Sequence, residues 1–163
     1  GVSKAKDRES FEAAAQEAFR YDSKVLVEEF IEGRELECAV LGNDAPIASC
    51  VGEILPHHEF YSYDAKYIDP DGAGLEIPAR VSQETTARIQ ELAIKTFKTL
   101  CCEGLGRVDV FLKKDGTILV NEINTMPGFT AISMYPQLWA ASGISYPALI
   151  DRLIELALEK GRQ

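Results

Sequence analysis

The chain has 163 residues, of which 46% are hydrophobic and 26% are charged, as in an ordinary globular domain or a large part of one. Its 17 Lys and Arg against 26 Asp and Glu give a formal net charge of -9, which argues against nucleic acid or an anionic membrane as the main partner. A nucleotide stays compatible with this charge if metal ions and a few positioned cations organise its site.

The cysteines and the first residues bear on the cellular setting. Four cysteines show no CxxC spacing and lie mostly in apolar stretches, which predicts reduced, buried thiols and a cytosolic protein. There is no signal-peptide pattern and no apolar run of about 18 residues, so neither export nor membrane spanning is expected. Because Gly1–Lys4 opens without an initiator Met or a preceding strand, we expect the chain to be a fragment.

In chain order, the first predicted elements are one helix and three strands. Residues 7–20 carry early acids and an apolar face of Phe and Ala, which is typical of an amphipathic helix. The runs 24–31, 35–42 and 47–55 are rich in β-branched and apolar residues and are separated by short polar breaks. With no intervening helix, residues 24–54 are expected to form a three-stranded antiparallel meander.

A long loop and the strongest helical pattern follow. Residues 55–80 are rich in Tyr, Asp, Gly and Pro without a lasting period, and a loop of this length is usually functional or disordered. Ser82 then fits a helix N-cap, because apolar positions recur at helical spacing from there to about Cys101.

The C-terminal part predicts a β-hairpin and two helices. The segments 107–112 and 117–123 are strand-like and are joined by residues 113–116, whose Asp-Gly pair favours a hairpin turn. Residues 135–142 predict a short helix, and residues 146–160 repeat apolar positions on one helical face.

Polar side chains of this hairpin form the candidate site. Arg107 and Asp109 share one face of the first strand, and Glu122 and Asn124 share one face of the second. Two carboxylates and an amide oxygen suit Mg²⁺, and an adjacent Arg suits a phosphoryl group or an oxyanion. The alternative is structural: Asp109 and Arg107 form an ion pair and Glu122 faces solvent.

The residues around this site also resemble a known family. RVDVFL (107–112) followed by NEINTMPGFT (121–130) is similar to the hairpin of the ATP-grasp ligases, and TMPGFTAISMYPQLW (125–139) resembles the D-alanine–D-alanine ligase branch. The resemblance extends along nearly all of the chain. It implies an α+β, ATP-grasp fold with a mostly antiparallel sheet, packed helices and a long mobile flap at about 55–80. It also implies that residues 1–163 are the C-terminal part of the ATP-grasp domain, without the N-terminal substrate domain or the start of the phosphate loop.

In this family, matching residues bind metal and stabilise the reaction intermediate. The resemblance implies that Asp109, Glu122 and Asn124 are the ligands of two Mg²⁺ or Mn²⁺ ions, with Glu122 bridging both. Arg107 and the amide of Gly128 would donate to the oxyanion of a tetrahedral intermediate. These roles agree with the physics, because metals on the phosphates neutralise charge during phosphoryl transfer and an Arg donates where an oxyanion develops.

The substrate residues are implied in the same way. Ser133 and the amide of Met134 match the family's clamp on the carboxylate of the second D-alanine. FYSYDAKY (60–67) resembles the mobile flap, in which Lys66 would reach the γ-phosphate and Tyr67 would help to lock closure. Locally, a plain Pro-Gly turn, Ser133 as a helix cap and a Tyr-rich surface loop are adequate alternatives.

The segment 24–35 supplies the other end of the nucleotide site by the same resemblance. Glu28 and the backbone near Phe30 and Ile31 would meet the adenine, and Glu35 would bind the ribose hydroxyls. Without the family motif, glutamates near a strand end more often form a solvated edge.

The implied activity is the ATP-dependent joining of two D-alanines to D-alanyl-D-alanine for peptidoglycan synthesis, in the cytoplasm, by a homodimeric parent protein. ATP would phosphorylate one carboxylate, and the amine of the second D-alanine would attack the acyl phosphate. The fragment alone is expected to be inactive. Two alternatives stay open: another ATP-grasp ligase, such as a D-alanine–D-lactate ligase, and a nucleotide-binding module without catalysis. The Tyr-bearing flap favours the alanine-adding branch.

Overall fold

The computed structural model describes residues 1–56, 73–130 and 132–160, and the chain divides into two units. The first unit is Gly1–Ile31 and the second is Glu32–Gln163, each with its own secondary structure. No helix among the described residues is long and apolar enough to cross a bilayer.

The first unit contains the helix that the sequence predicts at 7–20, in a slightly shorter form. Helix α1 spans Arg8–Ala18 and begins after Asp7. The Asp7 carboxylate accepts a hydrogen bond from the Ser10 amide at 2.8 Å, and the Ser10 hydroxyl oxygen accepts one from the Asp7 amide at 3.1 Å. This reciprocal pair satisfies amide groups that the start of a helix leaves without intrahelical partners, which is why the helix begins there.

The prediction of a strand at 24–31 is wrong. These residues have no regular secondary structure, and Leu26, Val27 and Phe30 are 86%, 69% and 67% exposed. The apolar, β-branched composition gives the run strand propensity, but a strand is stabilised only when a neighbouring backbone and packed side chains complete it. No described strand pairs with this run, so the expected three-stranded meander contains only two strands.

The second unit is built on a five-stranded antiparallel sheet. Its strands are β1 Arg34–Gly42, β2 Ile47–Pro56, β3 Ala73–Glu76, β4 Gly104–Leu112 and β5 Ile118–Asn124. Their order across the sheet is β3-β2-β1-β4-β5, which places β1 in the middle and the predicted β4–β5 hairpin at one edge. Strand β3 contradicts part of the predicted loop at 55–80, because it lies inside that segment. It is short and contains Gly74, so its order comes from pairing with β2 rather than from its own propensity.

Three helices among the described residues complete the second unit: α2 Gln83–Thr99, α3 Met134–Ala141 and α4 Tyr146–Lys160. All three agree with the sequence pattern to within a few residues. Ser82 caps α2 as predicted, because its hydroxyl oxygen accepts a hydrogen bond from the Thr85 amide at 3.1 Å. Near the predicted helix end, Cys101 has a φ of 54°, which lies outside the right-handed helical region.

Two hydrophobic cores lie on opposite faces of the sheet, because alternate residues of β1 face opposite sides. The first core joins Leu36, Cys38 and Val40 of β1 to Ile89, Ala93 and Phe97 of α2. The second joins Ala39 and Leu41 of β1 to Tyr135, Leu138 and Trp139 of α3 and to Leu149 and Leu156 of α4. A sheet covered on both faces explains why β1 is buried along most of its length.

This architecture confirms the predicted α+β class with a mostly antiparallel sheet and packed helices. The predicted flap falls mostly at 57–72, outside the described residues.

The prediction that the cysteines are buried, reduced thiols is confirmed only in part. All four cysteines are free and Cys38 is buried, but Cys101 is exposed because it follows the end of α2 at the surface.

Candidate active site

The register of the sheet brings the predicted residues of the hairpin onto one face. Arg107 lies opposite Asn124, and Asp109 lies opposite Glu122, across β4 and β5. Residues directly opposite in an antiparallel pair share a face, as do residues two apart on a strand. The same rule places Glu37 of β1 beside Asp109, because these two are opposite each other across β1 and β4. The candidate site is therefore a cluster of three acids, one amide and one arginine.

Arg107 lies between two carboxylates. Its Nε and Nη2 donate to Oδ1 and Oδ2 of Asp109 at 2.8 and 2.7 Å, which is a two-point interaction. Its Nε is also 2.8 Å from Oε2 of Glu37, whose side chain is only 3% exposed. The side chains of Arg107 and Asp109 are themselves 12% and 13% exposed, so water screens the attraction between these charges only weakly.

The pKa of Arg107 is raised above its ordinary value. Burial alone lowers the pKa, but the hydrogen bonds to Asp109 and the charges of Glu37, Asp109 and Glu122 outweigh burial. An arginine that keeps its proton throughout is a permanent donor. It can stabilise an oxyanion, but it cannot serve as a general acid or base.

Asn124 connects the two carboxylates of the hairpin. Its Nδ2 donates to Oδ2 of Asp109 at 3.1 Å and to Oε1 of Glu122 at 3.0 Å. In this arrangement the amide nitrogen faces the acids, whereas a cation is bound by an amide oxygen. A half-turn of the amide exchanges the two atoms with little change in shape. The side chain can therefore serve as a bridge between the acids or as an oxygen ligand beside them.

The donor set fits a hard divalent cation. Asp109, Glu122 and Asn124 offer carboxylate and amide oxygens on neighbouring strands, and Mg²⁺ is usually held by one or two carboxylates while water and substrate supply the remaining ligands. Glu122 is exposed, so its carboxylate is accessible from solvent. Within the described ranges, no group of three His, Cys, Asp or Glu forms a metal cluster, so an ion here would need the amide and ligand oxygens as well.

The structural alternative shares some of these features. The Arg107–Asp109 ion pair and the exposed Glu122 are both expected of a hairpin without any function. A second buried carboxylate on the same guanidinium, that of Glu37, is harder to explain in this way, because apolar residues in place of buried ion pairs are often neutral or stabilising. The buried charge cluster therefore favours a functional site.

The loop between β5 and α3 brings Gly128 close to Ser133. A Cβ atom on Gly128 would lie 3.0 Å from Oγ of Ser133, so a side chain there would displace the hydroxyl. This Oγ accepts a hydrogen bond from the Thr130 amide at 3.0 Å. Ser133 stands at the N-cap position of α3 but makes no side-chain capping bond, so the helix-cap alternative is wrong for its side chain. The side chain of Met134 is buried in the core, which leaves only its amide for the predicted role.

Comparison with known proteins identifies the family. The family model described as D-ala D-ala ligase C-terminus matches residues 1–155. The chain belongs to this family. A D-alanine–D-alanine ligase from Shouchella clausii is 62% identical over 160 residues, which are 98% of this chain and 44% of that protein. The chain thus spans less than half the length of this relative.

Solved structures of ligases share the fold. The D-alanine–D-alanine ligase from Coxiella burnetii matches with a TM-score of 0.86 and 46% identity, over 97% of this chain and 41% of that one. The VanG D-Ala:D-Ser ligase from Enterococcus faecalis matches at 0.83 and 41%, over 92% and 43%. The D-alanine–D-alanine ligase from Bacillus anthracis, complexed with ATP, matches at 0.82 and 31%, over 98% and 51%. These matches confirm the ATP-grasp fold expected from the sequence.

Glu37 is the member of the candidate site that sequence reasoning missed. The signal was present in ELECAVLG (35–42), where Leu36, Cys38 and Val40 occupy alternate positions. Such a pattern places the apolar residues in one core and turns the intervening acid to the other face. The partner of that acid was not visible in the sequence, because it depends on the pairing of β1 with β4, which are distant along the chain.

The residues predicted to bind adenine belong to the first unit, Gly1–Ile31. Phe30 is exposed, and the ammonium of Lys4 lies 3.9 Å from the centroid of its ring. Such a cation–π contact orders the two residues locally but does not test a nucleotide site. The roles predicted for Glu28, Phe30 and Ile31 therefore stay predictions.

The remaining predicted nucleotide contacts differ in position. Glu35 lies on β1, two residues from Glu37 and therefore on the same face of the sheet. Lys66 and Tyr67, predicted on the flap, fall outside the described residues. The structure thus brings together the predicted metal-binding cluster and Arg107, with Glu35 on the same face, and leaves the flap roles as predictions.

Proposed function

We propose that residues 1–163 are the C-terminal ATP-grasp part of a D-alanine–D-alanine ligase. The full-length parent, a cytoplasmic homodimer, would use ATP to join two D-alanines to D-alanyl-D-alanine for peptidoglycan synthesis. The proposal is carried by one observation: Arg107, Asp109, Glu122 and Asn124 meet on a single face of the sheet in a chain of this family. Hard oxygen ligands beside a permanently charged donor suit phosphoryl transfer to a carboxylate.

The acids of the hairpin would hold the metal that accompanies ATP. Asp109, Glu122 and Asn124 would supply the protein oxygens for two Mg²⁺ or Mn²⁺ ions. Such ions neutralise charge on the phosphates while the γ-phosphoryl group moves to the D-alanine carboxylate. The contribution of the chain is rigidity, because the paired strands β4 and β5 hold these side chains in register before any ligand arrives.

Arg107 would act when the amine of the second D-alanine attacks the acyl phosphate. The attack places negative charge on the former carbonyl oxygen, and the buried guanidinium supplies donors that are already oriented as the charge develops. The Gly128 amide would be the second donor, at a position where the missing side chain permits close approach. Ser133 and the amide of Met134, at the start of α3, would bind the carboxylate of the second D-alanine.

The nucleotide would be held by residues from several segments. Glu35 shares the face of the sheet with the metal ligands, which supports its assignment to the ribose hydroxyls. The flap residues would close over the phosphates and keep water away from the acyl phosphate. The full set of proposed contacts is Glu28, Phe30 and Ile31 for adenine, Glu35 for ribose, Lys66 for the γ-phosphate and Tyr67 for closure.

Replacement of Glu122 tests the proposal. Glu122→Gln keeps the shape of the side chain but removes the charge on which metal binding depends, so D-alanine-dependent ATP consumption by the full-length ligase should fall at least about 100-fold. The rate is measured as phosphate release with and without D-alanine. Glu91→Gln makes the same change at an exposed position of α2, in the helix that covers the other face of the sheet, and should leave the rate unchanged.

Two outcomes contradict the proposal. Full activity of Glu122→Gln would remove the metal site on which it rests. ATP consumption that is independent of D-alanine would favour a nucleotide-binding protein of another kind.

The acceptor needs its own experiment. The fold does not decide it, since a D-Ala:D-Ser ligase matches 92% of this chain. We propose D-alanine, because the Tyr-bearing segment 60–67 resembles that of the alanine-adding members. In a competition between D-alanine, D-serine and D-lactate, D-alanyl-D-alanine should be the main product. A predominant D-alanyl-D-lactate product would favour the ester-forming alternative.

A further inference from the structure

Glu37 is a buried acid in the middle of the sheet. Its side chain is 3% exposed on the central strand β1, between the buried apolar residues Leu36 and Cys38. Its Oε2 lies 2.8 Å from Nε of Arg107. Burial of a carboxylate is strongly unfavourable unless a cation and hydrogen bonds compensate for the lost water. The Arg107 guanidinium supplies the compensating positive charge, although Oε2 itself accepts no hydrogen bond from the described residues.

Asp109 is the other acidic partner of Arg107, and its carboxylate oxygens have two roles, as acceptors for Arg107 and as proposed metal ligands. Its Oδ1 and Oδ2 accept hydrogen bonds from Arg107 at 2.8 and 2.7 Å, and the same oxygens belong to the proposed metal site. A divalent cation bound to Asp109 would compete for these lone pairs and repel the guanidinium. Glu37 is not among the proposed metal ligands, and it lies on the neighbouring strand directly opposite Asp109.

We propose that Glu37 is a positioning residue that holds Arg107 in the site when Asp109 binds metal. It holds the guanidinium through the ion pair at Nε, whose single N–H donates to Asp109 in this structure, and so leaves the Nη N–H groups of Arg107 for the developing oxyanion once Asp109 binds metal. The role rests on the proposed function, since it has meaning only if Asp109 binds metal and Arg107 meets an oxyanion. Glu37 acts through Arg107 and does not touch the substrate.

A second buried ion pair in the sheet provides a matched control. Glu53 of β2 is 5% exposed and accepts two hydrogen bonds from Arg34, at 2.7 and 2.6 Å. Because Glu53 lies opposite Leu36 across β1 and β2, it is on the α2 side of the sheet, away from the candidate site. Both acids are thus buried partners of an arginine, but only Glu37 borders Arg107.

The test compares Glu37→Gln with Glu53→Gln in the full-length ligase. Glu37→Gln should lower kcat about 10- to 100-fold while the KM for ATP changes less than about threefold, because Arg107 acts after the nucleotide is bound. Glu53→Gln should lower the midpoint of thermal unfolding but keep kcat within about twofold of the wild type. A wild-type kcat in Glu37→Gln, or equal losses of kcat in the two variants, would overturn the positioning role.

Arg107→Lys supplies the second readout. If Glu37 acts through Arg107, adding Glu37→Gln to Arg107→Lys should change kcat by less than about twofold, because the residue that Glu37 positions is already gone. A purely structural effect of Glu37 would instead multiply with that of Arg107→Lys. Additive losses of activation free energy in the double variant would therefore overturn the proposal.

Glu37→Asp decides the case in which Glu37→Gln does not fold. It keeps the charge but retracts it by one methylene, so kcat should fall about 3- to 10-fold, and a wild-type kcat would contradict the role.

Glu122→Gln distinguishes failure of the positioning role from failure of the proposed function. If Glu122→Gln abolishes D-alanine-dependent turnover and the Glu37 variants do not change it, only the positioning role fails; if Glu122→Gln stays active, the proposed function itself fails.

Discussion

Glu37 and Cys38 are adjacent on β1 but lie in opposite environments. Glu37 faces the charged cluster around Arg107, whereas Cys38 belongs to the apolar core formed with α2. Burial raises the pKa of the Cys38 thiol to about 12. A single step along the strand therefore separates a carboxylate placed next to a cation from a thiol that is kept neutral.

The Cys38 thiol makes stability depend on pH in the alkaline range. Its pKa is about 12 in the folded chain against an ordinary 9.0, so the unfolded chain loses the proton first. The stabilising contribution is thus complete below pH 9 and is lost as the pH rises towards 12. Cys38→Ala should show a flatter loss of unfolding free energy across this range in urea titrations. Cys101→Ala, at an exposed thiol, should keep the wild-type slope, and a wild-type slope in Cys38→Ala would refute the assignment.

At the scale of elements, the sequence predicts correctly those that their own turn or cap residues define, and it fails where a strand depends on pairing with another segment. The β4–β5 hairpin follows from its own turn, where Gly116 takes a φ of 81°, and α2 follows from its Ser82 cap. The run 24–31 has strand composition without a strand partner, and β3 has a partner without strand composition. Sequence pattern therefore identified the elements that local interactions stabilise, missed β3, and predicted a strand at 24–31 that has no partner among the described strands.

The candidate site divides in the same way. Arg107, Asp109, Glu122 and Asn124 could be placed together from the sequence, because one hairpin register fixes all four. Glu37 could not, because its contact with Arg107 requires the pairing of β1 with β4. The family motif implies roles for these four residues but does not include Glu37, which contacts Arg107 from another strand.

Gly52 sets the separation between β2 and α3. A Cβ there would lie 2.9 Å from Sδ of Met134 and 3.0 Å from Cδ2 of Leu138. Gly52→Ala should force the buried side chains of Met134 and Leu138 to repack, lower the unfolding free energy by about 1 kcal/mol, and raise the KM of the full-length ligase for D-alanine if the start of α3, at the proposed substrate clamp, shifts with Met134. Urea unfolding and steady-state kinetics measure the two effects.

Gly116→Ala is the matched control for Gly52→Ala. A Cβ at Gly116 has no neighbour within 4 Å, but the φ of 81° strains any other residue, so stability should fall by about 1 kcal/mol. The KM for D-alanine should stay at the wild-type value, because a Cβ at Gly116 meets no atom of α3 or of any other described element. An unchanged KM in Gly52→Ala would mean that α3 can move without disturbing the clamp.

On the scale of the whole molecule, the proposed metal site and the proposed reaction are separable. The chain carries the hairpin cluster but spans 44% of the length of its Shouchella clausii relative. The proposed reaction also needs a pocket for the first D-alanine, which we place outside these residues. Correct positioning of both reactants accounts for much of the rate of such reactions.

The isolated chain should therefore form D-alanyl-D-alanine at less than about 1% of the rate of the full-length ligase, because one reactant is not positioned. The measurement is product formation at saturating ATP, Mg²⁺ and D-alanine, with the two proteins at equal concentration. A comparable rate in the isolated chain would show that the whole site lies within these residues and would contradict the proposed division.

The two-core arrangement also supplies a built-in optical probe. The chain contains one tryptophan, Trp139, which is 1% exposed and belongs to the core on the same side of the sheet as the candidate site. Its ring centroid is 6.4 Å from that of Tyr135, and both residues belong to helix α3, which begins at Met134. Fluorescence excited at the red edge of indole absorption therefore comes from Trp139 alone. It reports on the core formed by α3 and α4, next to the proposed substrate clamp, and not on the core that contains α2.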